Sequence, residues 1–277
     1  MVTKNDIIRA AHDLGIKEGD SVLIHSSFKS FGGVDGGAPT VVGGFMEAIG
    51  SKGTLLFPTL CQKDWEHVYE NWHPDANSDV GYLTNYFRKL PGSLRSNQAT
   101  HSVAAMGADA KYYTQTHGES GCRYGIFGET PFSADSPWEK MYAKNTKIVF
   151  IGVNFYKCTF RHYAEYCYVE KLLKSIEGTS EYESLKHRLW CYARWDEQGV
   201  WPHINSEYIR ALLDKENAVT YTKCGDSNIM CVSAQTFVDQ AWNELSIGNL
   251  DVMGGGQEIW QKWVDDVTST AKGEETC

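Results

Sequence analysis

Residues Ser21–Thr59 read SVLIHSSFKSFGGVDGGAPTVVGGFMEAIGSKGTLLFPT. The first five, Ser21-Val22-Leu23-Ile24-His25, follow Gly19-Asp20 and form the short apolar run of a buried strand. Gly32-Gly33-Val34-Asp35-Gly36-Gly37 is a glycine loop, and Pro39 sits where a helix would begin. Val41, Val42, Phe45, Met46 and Ile49 recur at helical spacing, and Gly50 ends the helix. A second strand, Gly53-Thr54-Leu55-Leu56-Phe57, is stopped by Pro58. Strand, glycine loop, helix and strand make a βαβ unit, which assigns the chain to the α/β class.

The same alternation extends in both directions. Upstream, Thr3-x-x-Asp6 is a capping box that opens a helix with Ile7, Ile8, Ala11 and Leu14 on its apolar face. Downstream, Tyr82–Leu90 is expected to be helical, Val103–Met106 extended, Pro137–Lys144 helical and Lys147–Val153 a buried strand. A helix from about Thr159 to Leu173 follows. Strands are expected at Leu189–Ala193 and Val219–Thr222, and helices near Ser206–Glu216 and Ala234–Leu245. A last helix after Gly254-Gly255-Gly256 is expected to end around Val267. No repeat or long linker interrupts the chain. The expectation is one compact domain over residues 1–277, with a central mixed sheet flanked by helices and antiparallel additions in the carboxyl-terminal third.

Composition narrows the function classes. The chain has 277 residues, 42% hydrophobic and 22% charged, which is ordinary for a folded globular protein. Its formal net charge is −9 (26 basic against 35 acidic residues), so it should repel nucleic acid and anionic membranes. No apolar run approaches the roughly 18 residues of a membrane helix. The first residues run straight into a helical pattern without a signal-peptide core. The eight cysteines contain no C-x-x-C pair and match neither a zinc finger nor a disulfide framework, so they read as reduced core residues. The expectation is a soluble cytoplasmic protein with no metal. The aromatic load, with nine Trp and fifteen Tyr, fits either a homodimer interface or a filled core.

The chain lacks the phosphate-loop, dinucleotide-turn, nucleophile-elbow and zinc-helix motifs. Two clusters at the carboxyl ends of expected strands remain, where α/β proteins hold ligands. His25-Ser26-Ser27-Phe28, with the glycine loop and the helix at Pro39, offers hydroxyls, amides and a helix amino terminus to an anion such as a pyrophosphate. A plain turn explains the same glycines. In Thr159-Phe160-Arg161-His162-Tyr163-Ala164-Glu165, positions 159, 162 and 165 are successive i, i+3 neighbours on one helical face. Hydroxyl, imidazole and carboxylate in that order suit acyl transfer to an amine, which needs a base for the amine proton and a donor for the oxyanion. A solvated His–Glu pair accounts equally for the spacing.

Four stretches together resemble the aminoglycoside 3-N-acetyltransferase family, which uses acetyl-CoA. They are His25–Thr59, Arg95–Gly107 (RSNQATHSVAAMG), Thr130–Tyr142 (TPFSADSPWEKMY) and Lys147–Glu165 (KIVFIGVNFYKCTFRHYAE). The likeness covers residues 1 to about 170 and loosens beyond. It implies an acetyl-CoA site near Ser26, Ser27, Phe28, Gly36 and Gly37, with Arg95 and Ser102 close by. It further implies that His162 is the base, that Glu165 orients it or belongs to the same acidic pocket, and that Thr159 lies near the thioester carbonyl. Transfer is direct in such enzymes, without an acyl-enzyme. Antibiotic resistance by aminoglycoside acetylation is the associated role. Relatives often read Arg-Ser-x-His-Pro where this chain has Gln98-Ala99, so the contacts of that loop are open, and His101 enters as a substrate contact or a loop residue.

The acceptor is less determined. Cys61–Asp79 contains Asp64, Trp65, Glu66, Trp72, His73, Asp75 and Asp79, so stacking tryptophans and carboxylates suit an amino sugar. An exposed loop anchored by its tryptophans is the alternative. A nucleotide-linked amino sugar would need convergent cations, for which Arg123, Arg161 and Lys157 are the candidates. Rival classes are a non-catalytic acyl-CoA-binding protein and a metal hydrolase with His and Glu ligands.

Overall fold

Thr3 opens the first helix as its spacing requires. Its hydroxyl accepts from the Asp6 amide, and the Asp6 carboxylate accepts from the Thr3 amide at 2.9 Å. The computed structural model describes residues 1–64, 66–193 and 200–274. In chain order the elements are α1 (Lys4–Asp13), β1 (Ser21–Ser26), α2 (Ala38–Ile49), β2 (Thr54–Pro58), α3 (Val68–Asn71), α4 (Tyr82–Phe87), β3 (Leu94–Arg95), β4 (Val103–Gly107), α5 (Ala110–Thr114), α6 (Pro137–Ala143), β5 (Lys147–Ile151), α7 (Phe160–Lys174), α8 (Tyr182–Ala193), α9 (Ser206–Lys215), β6 (Thr220–Cys224), β7 (Ser227–Ser233), α10 (Ala234–Ser246) and α11 (Gln257–Glu274).

The strands form one sheet in the order β3-β4-β2-β1-β5-β7-β6. The centre is parallel: Val22 of β1 faces Leu55 of β2 on one side and Lys147 of β5 on the other. The period of two along each strand divides the core between the two faces. Val22, Ile24, Leu55, Phe57, Val149 and Ile151 point towards α1, α2 and α4, where they meet Ile7, Val41, Phe45 and Phe87. Leu23, Leu56, Ile148 and Phe150 point the other way, onto Trp138, Phe160, Tyr163 and Phe237 of α6, α7 and α10. These sheet residues are fully buried, and each contributes roughly 1.5–3 kcal/mol by leaving water. The result is a three-layer sandwich. Its parallel centre brings the ends of β1, β2 and β5 to the same edge.

Several expectations need correction. Leu189–Ala193 is the end of helix α8, not a strand. Strand β7 was not foreseen; Gly225 and Asp226 turn it back on β6, with Gly225 at φ +57°. The antiparallel additions expected in the carboxyl-terminal third are β7 on β5 and β6 on β7, and the structure adds β4, antiparallel to both β2 and β3. The final helix continues past Val267 to Glu274. Cys158, Cys224 and Cys231 are buried, whereas Cys122 is exposed and Cys61 and Cys167 are half-buried. The side chains of Cys191 and Cys277 lie outside the described residues. Among the described residues no helix is long and apolar enough to cross a membrane.

Candidate active site

The carboxyl ends of β1, β2 and β5 open on a cavity of about 420 Å³, within the roughly 300–1,000 Å³ of small-molecule sites. His25 and Ser26 reach it from β1 and Pro58 from β2. Beyond β5 the chain makes a short 3₁₀ turn, Phe155–Lys157, and enters α7 through Thr159. Thr159, Arg161 and His162 therefore line the wall opposite Gly81 and Thr84 at the start of α4.

His162 and Glu165 form the centre of the site. Nδ1 of His162 lies 2.9 Å from Oε2 of Glu165, as the i, i+3 spacing on one face of α7 requires. A carboxylate only accepts, so Nδ1 carries the hydrogen and Nε2, on the cavity wall, carries the lone pair. Glu165 is fully buried. Its two oxygens also accept from Trp201 Nε1 at 3.0 Å and the Ile204 amide at 2.9 Å. Burial alone would raise the Glu165 carboxyl; the charges of His162, His203 and Arg161, with the His162 hydrogen bond, outweigh it and hold the group below its ordinary value. Burial lowers His162 below the usual imidazole range, and Glu165 offsets only part of that. At neutral pH the pair is a carboxylate beside a neutral imidazole, the form a general base needs.

Two further groups touch this base. Arg161 Nε donates to His162 Nε2 at 3.3 Å. His101 is buried within the same wall, with Nδ1 2.8 Å from Thr100 Oγ1 and Nε2 3.2 Å from Gln62 Nε2. The Gln62 amide donates to Nε2, so the His101 hydrogen sits on Nδ1. Burial holds His101 well below its ordinary value, with His162, His117 and Arg161 acting in the same direction.

The residues singled out from sequence separate in space. Thr159, His162, Ser26 and His101 line the cavity, and Glu165 stands behind His162. Thr159 is the residue before the first turn of α7, and its hydroxyl has no hydrogen-bond partner among the described residues. Ser27, Phe28, Gly36 and Gly37 are outside the lining. Phe28 leans on Tyr82 with ring centroids 5.1 Å apart, and Gly36 and Gly37, at φ +73° and +71°, turn the chain into α2. Asp64 is exposed and held by His67 and Asn71, away from the cavity. Trp65 lies outside the described residues.

Arg95 and Ser102 sit beside the cavity but are fully occupied. Arg95 Nε donates to Thr59 Oγ1 and Ser102 Oγ, Nη1 to the Pro74 and Ala76 carbonyls, and Nη2 to the Thr59 carbonyl and Cys61 Sγ. All five guanidinium hydrogens are thus engaged, with Trp72 stacked against the group. Arg95 fastens the segment after β2 to the sheet edge rather than presenting a free cation. Ser102 is fully buried and donates to the Thr59 carbonyl at 3.0 Å. Arg123 is likewise committed, to Glu139 and Glu170 on the far side of α7.

Sequence reasoning missed the interior of the cavity. His25 entered only as part of a motif, yet its Nε2 is buried without a hydrogen-bond partner among the described residues, and its ring stacks on Phe150, 5.3 Å between centroids. Burial drives His25 down to about 3, so it is neutral. Its place on the Leu23 side of β1, opposite Ile24, follows from the period of two. Gln62 and Thr84 carry no motif and no signal. Among the described residues no group of three or more His, Cys, Asp or Glu gathers as a metal-ligand set.

Comparison with known proteins gives the setting. The chain is 26% identical over 182 residues to aminoglycoside N(3)-acetyltransferase IX of Micromonospora chalcea, covering 59% of this chain and 62% of that one. It is 30% identical over 185 residues to the SPbeta prophage-derived aminoglycoside N(3')-acetyltransferase-like protein YokD of Bacillus subtilis (strain 168), covering 59% and 65%. The matched part thus spans less than two thirds of either relative. A solved structure described as AAC-IIIb binary with CoASH superposes with a TM-score of 0.64 at 17% identity, over 88% of this chain and 97% of that one, which is a likeness of fold. The family profile described as aminoglycoside 3-N-acetyltransferase matches residues 23–246, most of the chain, including every residue that lines the cavity, from Ile24 to His162. On that match, the chain belongs to the aminoglycoside 3-N-acetyltransferase family.

Proposed function

We propose that the protein moves an acetyl group from acetyl-CoA to the amine of an amino sugar, in one step, with His162 as general base. The observation that carries this is the His162–Glu165 pair, its Nδ1 tied at 2.9 Å and its Nε2 facing the cavity. Acetyl-CoA supplies the activated carbonyl. A neutral amine attacks that carbon while its proton passes to Nε2. The C–S bond breaks as the carbonyl re-forms, and the imidazolium returns the proton to the departing thiolate. Glu165 stabilises the imidazolium in between, and the unpartnered Thr159 hydroxyl is the donor assigned to the developing oxyanion.

The cavity suits an amide-bearing arm such as pantetheine, because a buried imidazole nitrogen without a partner is costly until a ligand satisfies it. His25 Nε2 is that atom, and Ser26 follows it in the wall. Ser27, Phe28 and the Gly36–Gly37 turn would meet only parts of the cosubstrate extending outside. The amino-sugar acceptor is supported by family membership and by the relatives' names. The test is thiol release from acetyl-CoA against a panel of amino sugars. Release that depends on the amine supports the reading; acetyl-CoA hydrolysis at the same rate without any amine refutes it.

A further inference from the structure

A one-way chain of hydrogen bonds ends in the cavity on Gln62, a residue without a motif. It starts at the Phe127 carbonyl, which accepts the single hydrogen of the Tyr69 hydroxyl at 2.7 Å. Tyr69 Oη is then left to accept from Gln98, whose Nε2 lies 3.1 Å away. This turns Gln98 Oε1 towards residues 100 and 101, where it takes the His101 amide at 2.5 Å and the Thr100 hydroxyl at 3.3 Å. The Thr100 oxygen in turn accepts from His101 Nδ1 at 2.8 Å. His101 Nε2 therefore carries a lone pair and accepts from Gln62 Nε2 at 3.2 Å. The second hydrogen of that amide goes to the Thr100 carbonyl at 3.4 Å.

Both hydrogens of the Gln62 side chain are thus spent on the wall, and its Oε1 has no hydrogen-bond partner among the described residues. With its NH2 pinned on two acceptors, Gln62 presents the carbonyl oxygen to the cavity that it lines. Asp79 lines the cavity beside it. Its Oδ2 accepts from the Gln62 and Lys63 backbone amides at 2.6 and 2.9 Å, and Oδ1 lies 3.9 Å from the exposed Lys63 ammonium. Two oxygens that only accept therefore share this part of the wall. The base is close, because the His101 ring that holds Gln62 stands 5.9 Å from the His162 ring. Of the cations in the lining, Arg161 acts on the Glu165 carboxylate behind His162, and Lys157 is exposed.

We propose that Gln62 is a specificity-determining residue of the acceptor site, its Oε1 accepting a hydrogen bond from an ammonium or hydroxyl of the amino sugar while a neighbouring amine of that molecule faces His162. This rests on the acetyl-transfer reading above and deepens it. A polycationic amino sugar suits the position, because ammonium groups only donate and the Gln62 and Asp79 oxygens only accept. Gln98 and Thr100 are positioning residues, which act by keeping the His101 hydrogen on Nδ1. The other tautomer would set a donor against the Gln62 NH2 and turn the amide oxygen away from the cavity.

The test follows thiol release from acetyl-CoA with sisomicin, a polycationic aminoglycoside, as acceptor. Gln62→Leu should raise KM for sisomicin about 10–100-fold, the range of one hydrogen bond to a charged group, with kcat and KM for acetyl-CoA within about twofold of the wild type. Thr100→Val leaves every cavity-lining side chain in place and should raise the same KM by a smaller factor. Thr100→Ser restores the hydroxyl and should return KM to the wild-type value. Three outcomes overturn the proposal: an unchanged KM for sisomicin in Gln62→Leu; an equal rise in KM for acetyl-CoA; or a loss confined to kcat. Should Gln62→Leu fail to fold, an unchanged KM for sisomicin in Thr100→Val overturns it instead. No sisomicin-dependent release by the wild type also overturns it, and release with other amino sugars then separates that failure from a failure of acetyl transfer itself.

Discussion

His101 and His162 meet edge to face, with ring centroids 5.9 Å apart, and both face Phe127 and Phe132. Two imidazoles this close inside an aromatic wall cannot both hold a proton cheaply, so each favours the neutral state of the other.

The pH dependence of turnover follows. Burial sets His162 below 6.5, so its base form is present at neutral pH and is lost only as the pH falls through its lowered value. The acid limb of kcat/KM for the amine, corrected for ionisation of the amine itself, should therefore centre below pH 6.5. An acid limb assigned to the enzyme and centred above pH 7 contradicts the arrangement.

Substitutions in the pair should separate chemistry from orientation. His162→Ala should lower kcat by about 10²–10⁴-fold, the contribution of a general base, with the fold retained. Glu165→Gln should lower kcat less and move the acid limb further down, since the carboxylate that favours the imidazolium is gone. It also sets an amide NH2 against the Trp201 or Ile204 donor, so a lower Tm should accompany it. Near-normal turnover in His162→Ala would end the assignment.

Arg95 provides a stability test. Arg95→Leu leaves the Pro74 and Ala76 carbonyls without their donor and removes the charge-assisted bond to the Thr59 carbonyl, which Ser102 still serves; together this costs about 2–4 kcal/mol. In a chain of this size that corresponds to a drop in Tm of roughly 5–10 °C. Arg95→Lys should recover only part, because an ammonium with three hydrogens cannot span six acceptors. If Arg95→Lys keeps the wild-type Tm and alters only KM for acetyl-CoA, the fastening role is wrong.

Two buried histidines should make the fold acid-sensitive. Burial takes His25 to about 3 and His117 to about 4, against 6.5 for a free imidazole; the Pro131 carbonyl partly opposes this at His117. The unfolded chain therefore binds protons that the folded one refuses between pH 6.5 and those values. Stability is complete above 6.5 and declines as the pH falls towards 4 and 3. Thermal melts at pH 7, 5.5 and 4.5 should show a falling Tm, and His117→Asn should flatten the slope. A Tm independent of pH over that range would exclude it.

The βαβ core was legible because Val22 to Phe57 combines a strand period, a glycine loop and a helical stripe without conflict. The Leu189–Ala193 run is apolar and short enough to pass for a strand, but Leu185 and Leu189 are buried on one helical face, and Trp263 Nε1 donates to the Leu185 carbonyl. Strand β7 hid because Ser227, Asn228 and Met230 dilute its apolar alternation. In the site, His162 and Glu165 were readable because a helix relates them locally. Trp201 and Ile204, which hold Glu165, lie 36 and 39 residues further on, and only tertiary folding brings them there. Arg95 could be recognised as important from its motif, but its saturation by six acceptors depends on the path of the segment it holds.

The grip of Trp201 and Ile204 on Glu165 changes how the two halves of the chain depend on each other. Every recognisable signature ends by residue 170, so a shortened version would look intact to anyone scanning it for hallmarks. It would nonetheless carry a loose carboxylate and an imidazole free to rotate. The less distinctive latter portion is what keeps the proton acceptor aimed, and swapping it between relatives should tune reactivity even when no signature residue is touched.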